Sequence, residues 1–504
     1  MRRPNILLVT SDQQHAGLLG CLNPEVRTPH LDQLASEGTL FTRAYCPNPT
    51  CTPSRASIIT GQYPSQHGAY SLGTKLPETV PTLGDALQRH GYATSLIGKA
   101  HFQPLKGTPE YPSLESYPLL QDLDFWRGFH GPFYGFQHVE LARNHADEAH
   151  VGQHYALWLE SKGATDWRRY FQPPTGTMPA QRGRWNIPEE LHYNTWITER
   201  TNARLAQHAE RDEPFFLWAS FFDPHPPYLA PAPYDTMFDP RQVTVPEITA
   251  GEHDGNPPHF RKTQETQPDF SAWRDDPQGH PFLHGCKSHL VPREQLAENI
   301  AFYYGMMALL DQGVGRILAQ LAQLDLADDT LVVFTSDHGH FYGQHGLTAK
   351  GPFHYEDVVR VPFIVRWPGR VSAGRRSSAL QSLVDLAPTF LAATGAPVPP
   401  TMSGRDQTPV WLGAQATARD HVLVENRHQP TTLQLHTYID ERYKLTAYRG
   451  ETFGELFDLA ADPAELVNLW NDPAAQSLKI ALLQKLITAE MAKEPLFMPR
   501  IHLA

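Results

Sequence analysis

Short apolar runs bounded by polar turns recur along the first hundred residues. Asn5–Val9 is one such run, and it gives way to Thr10-Ser11-Asp12-Gln13-Gln14. A brief, continuously apolar segment suits a strand buried on both faces. Thr28-Pro29-His30-Leu31-Asp32 opens a helix: Thr28 suits the N-cap, Pro29 the first turn, and Asp32 the positive end of the helix. Gly38 closes that helix, and Thr39–Tyr45 reads as a strand. Thr82–His90 is a second helix, closed by Gly91, and Tyr92–Ile97 is the next strand, ending at Gly98-Lys99. This alternation predicts an α/β fold with a mostly parallel central sheet sandwiched by helices.

From about Pro104 to Gly183 the chain is rich in aromatics, histidine and glycine with weak periodicity, which predicts long loops at a pocket rim. Glu213–Phe222 is a buried strand, followed by Asp223-Pro224-His225-Pro226-Pro227-Tyr228. Residues 229–292 are rich in Pro, Asp and His and read as an irregular surface excursion, a length that is usually functional. Glu294–Leu324 is an amphipathic helix, and Thr330–Thr335 a strand ending at Ser336-Asp337-His338-Gly339-His340. Val361–Trp367 is a further strand. From about Arg419 the texture changes. Val422–Asn426, Leu433–Ile439 and Tyr443–Tyr448 alternate in strand fashion, before Leu456-Phe457-Asp458-Leu459 and a helix from about Ala474 to Ala492. The pattern divides the chain into a catalytic α/β domain, 1–415, and a smaller C-terminal subdomain with an antiparallel sheet, 416–504.

The chain has 504 residues, about two to four domains' worth or one large α/β unit with an appendage. Lys plus Arg is 42 and Asp plus Glu 54, a net charge of −12. That balance argues against a nucleic-acid or anionic-membrane partner. Mean hydropathy is −0.43, and no apolar run approaches the roughly 20 residues of a spanning helix. Four cysteines exclude a disulfide scaffold. Arg2 and Arg3 precede Ile6-Leu7-Leu8-Val9, but the run is too short for a signal peptide and no cleavage motif follows. The expected location is the cytoplasm, with Cys21, Cys46, Cys51 and Cys286 as free thiols.

Chemistry-bearing residues follow three of the strands: Asp12 and Gln13, then His225, then Asp337 and His338. Ligands of open α/β sheets sit at the carboxyl ends of strands, so Asp12, Asp337 and His338 could converge on a divalent cation. One such Asp alone would read as a helix cap; three groups with the same placement weaken that reading. A second feature is Cys51-Thr52-Pro53-Ser54-Arg55, continued to Gly61. Cys46 with Cys51 is half a zinc site at most, because no other cysteine pair completes it. If the segment opens a helix, Arg55 lies one turn beyond Cys51 and could face an anion formed there. Lys99 does not belong to a P-loop, and His145, His150 and His154 cluster without the spacing of a zinc protease. Phe125–Phe136, with Trp126, Phe129, Phe133 and Tyr134, suits either core or a pocket for an aryl or sugar group.

Cys51–Gly61 resembles the C-x-P-S-R-x-x-x-x-T-G signature of type I sulfatases, members of the alkaline phosphatase superfamily, in which a separate enzyme oxidises the cysteine to Cα-formylglycine. The resemblance spans most of the chain. Asn5–Gln14 resembles the family's opening strand with its first metal-ligand pair, Gly98-Lys99-Ala100-His101 its G-K-x-H motif, and Pro224-His225-Pro226 its active-site histidine. Asp337-His338-Gly339 resembles the second metal-ligand pair and Lys350 the second substrate lysine. Leu456-Phe457-Asp458-Leu459, Asp462-Pro463 and Asn468-Leu469 resemble the C-terminal ending. One departure is Asp12-Gln13 where Asp-Asp is common. Phosphonate monoester hydrolases, close relatives, also carry Gln there, whereas Lys99 and His101 follow the sulfatase pattern.

The resemblance implies arylsulfatase-like hydrolysis of sulfate monoesters, with a hydroxyl of hydrated formylglycine at 51 as nucleophile. The alternative it leaves is phosphonate monoester or phosphodiester hydrolysis at the same site. It implies one divalent cation held by Asp12, Gln13, Cys51, Asp337 and His338. Ca2+ is the family's metal, and the nitrogen donor His338 leaves Mn2+ in play. Asp337 is expected as the base for the attacking hydroxyl. Lys99, Lys350 and Arg55 are expected to supply positive charge to the sulfuryl oxygens and the hydrate. His225 or Lys350 is expected to protonate the leaving oxygen, and His101 to deprotonate the second hydroxyl. His67 is a further candidate near the metal. The implied partners are a small sulfate ester and the formylglycine-generating enzyme, and the long insertions lead us to expect a homo-oligomer, dimer or tetramer.

Overall fold

In the computed structural model of the protein, which describes residues 3–143, 151–171, 182–274, 288–428 and 431–494, eight strands build the central sheet. They are β1 (Asn5–Ser11), β2 (Thr39–Phe41), β3 (Ala93–Gly98), β4 (His138–Leu141), β5 (Phe215–Ser220), β6 (Thr330–Ser336), β7 (Phe363–Arg366) and β8 (Arg375–Ser377). Their order is β8-β2-β7-β6-β1-β5-β3-β4. All neighbours run parallel except β7, which is antiparallel to both β2 and β6.

The continuous apolar runs have the expected cause. Along β1, Ile6 and Leu8 enter one hydrophobic cluster while Leu7 and Val9 enter another on the opposite face. The helices α1 (Pro29–Ser36), α4 (Tyr193–Ala209) and α5 (Arg293–Gln323) cover the second face. The first face is covered by α2 (Cys51–Thr60), α3 (Leu83–Arg89) and α6 (Leu386–Thr394).

Four further strands, β9 (Val422–Arg427), β10 (Gln434–Ile439), β11 (Tyr443–Tyr448) and β12 (Gly454–Asp458), form an antiparallel sheet in sequence order. Helix α7 (Gln476–Met491) packs Leu482, Leu486 and Ala489 with Leu423, Tyr438, Leu445 and Leu456. Val422, Val424, Ile439 and Phe457 instead join the main core.

Two expectations change. Thr39–Tyr45 splits: β2 stays in the central sheet, while Ala44–Tyr45 pairs with Arg360–Val361 and Gln381–Ser382 in a separate small sheet. The break falls at Arg43, whose guanidinium donates to the carbonyls of Asp440 and Glu441. The stretch from Pro104 contains β4 and the helices Leu123–Gly128 and Gln153–Ser161 rather than loops alone. Its Trp126, Phe133 and Tyr134 join the main core, and Phe133 and Tyr134 also line a surface cavity with Phe129. Residues 145, 150 and 286 lie outside the described part; His154 is buried, its Nδ1 accepting from Leu141 N and its Nε2 bonding to Phe129 O. Cys21, Cys46 and Cys51 are free thiols. Among the described residues no helix is long and apolar enough to cross a membrane.

Candidate active site

Strand register assembles the site. Ser11 pairs with Ser336, and Thr10 with both Thr335 and Ser220, so β1, β5 and β6 end side by side. Asp12 and Asp337 are therefore neighbours, and Asp12 N donates to Asp223 O at 3.1 Å just past β5. Cys51 is the first residue of α2, after an extended Thr50. Pro53, with no N–H to leave unpaired, is tolerated in that first turn. The positive end of the helix thus points its field at residue 51.

Five side chains meet the Cys51 sulfur. Lys350 Nζ lies 2.9 Å away, His338 Nε2 3.1 Å and Asp12 Oδ1 3.6 Å, and the His101 and His225 rings bond to it as well. Burial pushes the thiol up, but Lys350, Lys99 and His338 outweigh it and hold the thiol well below its usual range. Position 51 therefore favours negative charge. His338 Nδ1–H donates to Gly339 O at 2.9 Å, which turns the lone pair of Nε2 toward Cys51.

Gln13 adopts a left-handed backbone, φ 59°. Its amide N–H donates to Asp337 Oδ1 at 3.0 Å, and its side-chain Nε2 donates to His340 Nδ1 at 2.8 Å. His340 Nε2 in turn meets Tyr228 OH at 2.8 Å. The network leaves Gln13 Oε1 buried without a partner. Asp12, Cys51, Asp337 and His338 bring one ligand atom each within 4.8 Å of one another. Two carboxylates, an orphaned amide oxygen and an imidazole lone pair fit a divalent cation. The other such cluster among the described residues, Glu425, His436 and Glu490, already has the Lys493 ammonium between its carboxylates.

Arg55 and Asp337 pair with each other, an arrangement the sequence did not announce. Arg55 Nε donates to Asp337 Oδ2 at 2.8 Å, and Nη1 to Lys99 O and Ser220 Oγ. Arg55 therefore braces Asp337, while its Nη2 is buried without a hydrogen-bond partner. Asp337 Oδ1 also accepts from the N–H groups of Gln13 and His338. Burial raises its pKa, yet Arg55 and His338 bring it down to about 2, which suits an anchor and disfavours a base. The carboxylate oxygen beside residue 51 belongs to Asp12, whose other oxygen takes the Lys99 ammonium. Burial and Asp337 push Asp12 up to about 7.

His225 Nδ1 bonds to Pro226 O, so its Nε2 accepts from Lys350 Nζ at 3.3 Å. Burial and the Lys350 charge push His225 down to about 3. His101 is likewise held well below its usual range by burial, with Arg143 and Lys99 adding to it. His67 is elsewhere: it bonds Ser57 Oγ at 3.0 Å and accepts from Ala69 N, tying α2 to the following turn. Sequence reading missed Asp223, Ser220, His340 and Tyr228. Of these, Asp223 and Tyr228 stand in the Asp223–Tyr228 strand-end segment, and His340 follows the Asp337-His338 pair.

The family model described as Sulfatase matches residues 4–396, and that of the C-terminal part of N-sulphoglucosamine sulphohydrolase matches residues 343–492. An arylsulfatase of Clostridium perfringens is 27% identical, covering 97% of this chain and 94% of its own. The multifunctional alkaline phosphatase superfamily protein PehA of Trinickia caryophylli is 29% identical over 97% and 95%. The solved phosphonate monoester hydrolase of Agrobacterium radiobacter superposes with a TM-score of 0.79 at 27% identity, covering 97% of this chain and 96% of that one. The match over residues 4–396 takes in every residue gathered around Cys51, and the chain belongs to the sulfatase family of sulfuric ester hydrolases.

Proposed function

We propose that the protein hydrolyses small, aryl-type sulfate monoesters at residue 51 after Cys51 is converted to formylglycine. The observation that supports this most is the meeting of Lys350, His338, Asp12 and His101 on one sulfur atom at a strand-end rim. Hydrated formylglycine at 51 supplies two hydroxyls on one carbon, one to take the sulfuryl group and one to expel it. Asp12, Gln13, Asp337, His338 and residue 51 would hold a divalent cation, which would supply Lewis acidity and positive charge at this end of the site. Ca2+ is the proposed ion, with Mn2+ favoured by the His338 nitrogen; metal analysis of purified enzyme decides between them.

The chain's own groups then divide the work. Asp12 is placed to accept the proton of the attacking hydroxyl. Lys99 and Lys350 bring ammonium charge to the sulfuryl oxygens, and Arg55 keeps Asp337 ionised and still. Burial and the Lys350 charge hold His225 in its neutral form, which favours Lys350, oriented by His225 Nε2, as the donor to the leaving oxygen. His101, also neutral, takes the proton of the second hydroxyl. The modifying enzyme is the partner that the Cys51–Arg55 motif calls for. The free thiols suit a reducing cytoplasm. The division at 415/416 is supported by the four C-terminal strands forming a sheet of their own.

Peptide mass spectrometry of enzyme from its native host tests the nucleophile: residue 51 should carry an aldehyde, and an intact thiol would refute it. A second reading, phosphonate monoester hydrolysis, is favoured by Gln13 and by the Agrobacterium radiobacter structure. The ratio of kcat/KM for nitrophenyl sulfate to that for a phenylphosphonate monoester discriminates; our reading requires the sulfate to be preferred.

A further inference from the structure

His101 poses a problem of placement. Histidines that act as bases are commonly oriented by a carboxylate on the far ring nitrogen. Here the far nitrogen, Nδ1, is buried with no hydrogen-bond partner. With no partner on that side, the backbone of the turn sets where the ring lies relative to residue 51. That backbone is left-handed, φ 61°, a conformation that costs free energy for a residue with a Cβ. Something outside the turn must hold it there.

Glu115 does so. Its Oε1 accepts from His101 N at 2.8 Å and its Oε2 from Gln103 N at 2.9 Å, so one carboxylate spans both ends of the turn. The two segments cross again where Leu114 N donates to Gln103 Oε1 at 2.7 Å. Arg143, two residues beyond the end of β4, donates from Nη1 to Glu115 Oε2 at 3.0 Å and to Gln103 O at 3.1 Å. Glu115 and Arg143 are 1% and 2% exposed. An ion pair this deep forfeits much hydration and is a poor source of stability. Its geometry is instead that of a clamp on the turn that carries His101.

We infer that Glu115, braced by Arg143, is a positioning residue that aims the His101 imidazole at residue 51 for sulfate release. The inference rests on the role given to His101 above. In that step His101 takes the proton of the second hydroxyl on residue 51. The electron pair left on that oxygen forms the carbonyl, the bond from the same carbon to the sulfate oxygen breaks, and sulfate departs with that bond's pair.

The test compares fully converted wild type, Glu115→Gln and His101→Ala with nitrophenyl sulfate, using steady-state kinetics and rapid-quench mass spectrometry of the residue 51 peptide. Glu115→Gln should lower kcat by roughly 100-fold and leave kcat/KM nearly unchanged, because transfer precedes release. Its residue 51 peptide should carry a sulfuryl group during turnover, as should that of His101→Ala. A crystal structure of Glu115→Gln should show His101 out of the left-handed region. Should the single variant fail to fold around an unpaired guanidinium, Glu115→Gln with Arg143→Gln removes both charges and should give the same kinetic split. Equal falls in kcat and kcat/KM in a folded variant overturn the inference, as does wild-type release. If His101→Ala retains the sulfuryl group and the Glu115 variants do not, only the positioning idea fails. If His101→Ala does not retain it, the release role fails and the inference with it.

Discussion

At the scale of single residues, the site sorts into groups that face residue 51 and groups that hold those groups still. Lys350 is of the first kind. Lys350→Ala should lower kcat/KM by about 10²–10⁴-fold for poor leaving groups and by less for nitrophenyl sulfate, which a leaving-group series measures. Arg55 and His340 are of the second kind. Arg55→Met leaves Asp337 buried and unpaired, and should cost about 3–5 kcal/mol in urea unfolding. His340→Ala frees the Gln13 amide to turn, and metal affinity should fall about 10–100-fold in chelator competition. The groups facing residue 51 were legible in the sequence because each stands at a strand end or in a short motif. The supporting groups were not. His340 meets Gln13 across 327 positions and Arg55 meets Ser220 across 165, and no local pattern announces such a meeting.

At the scale of elements, β1, β3, β5 and β6 were readable to within a residue or two, because burial on both faces leaves a continuous apolar run. Where partners decide, the reading failed: Thr39–Tyr45 reads as one strand but serves two sheets. Gly98 marks another constraint. It ends β3 at φ 110°, and a Cβ there would lie 2.0 Å from Ser220 O of β5. Gly98→Ala should cost about 1–3 kcal/mol or more, seen as a lower Tm. It should also impair turnover, because Lys99 and His101 follow directly on the displaced strand.

At the scale of the whole molecule, the loop that bears Lys350 is tied to its surroundings by a buried charge. His345 Nε2 lies 3.4 Å from Asp357 Oδ2, and Nδ1 3.4 Å from Glu252 Oε1. Burial opposes its protonation, but Asp357 and Glu252 prevail and raise it from 6.5 to about 9. The folded value exceeds the unfolded one, so this stabilisation is complete below about 6.5 and fades as pH climbs through about 9. Thermal unfolding should show Tm falling across that interval, more steeply in wild type than in His345→Gln. The placement of Cys51 has an outcome of another sort. Cys51, Thr52, Pro53, Ser54 and Arg55 are all buried within α2, so no visiting catalyst can grip that stretch once the domain has closed around it. Were Cys51 converted as proposed, conversion would have to precede that closure, and a polypeptide that folds first would keep its thiol sealed inside.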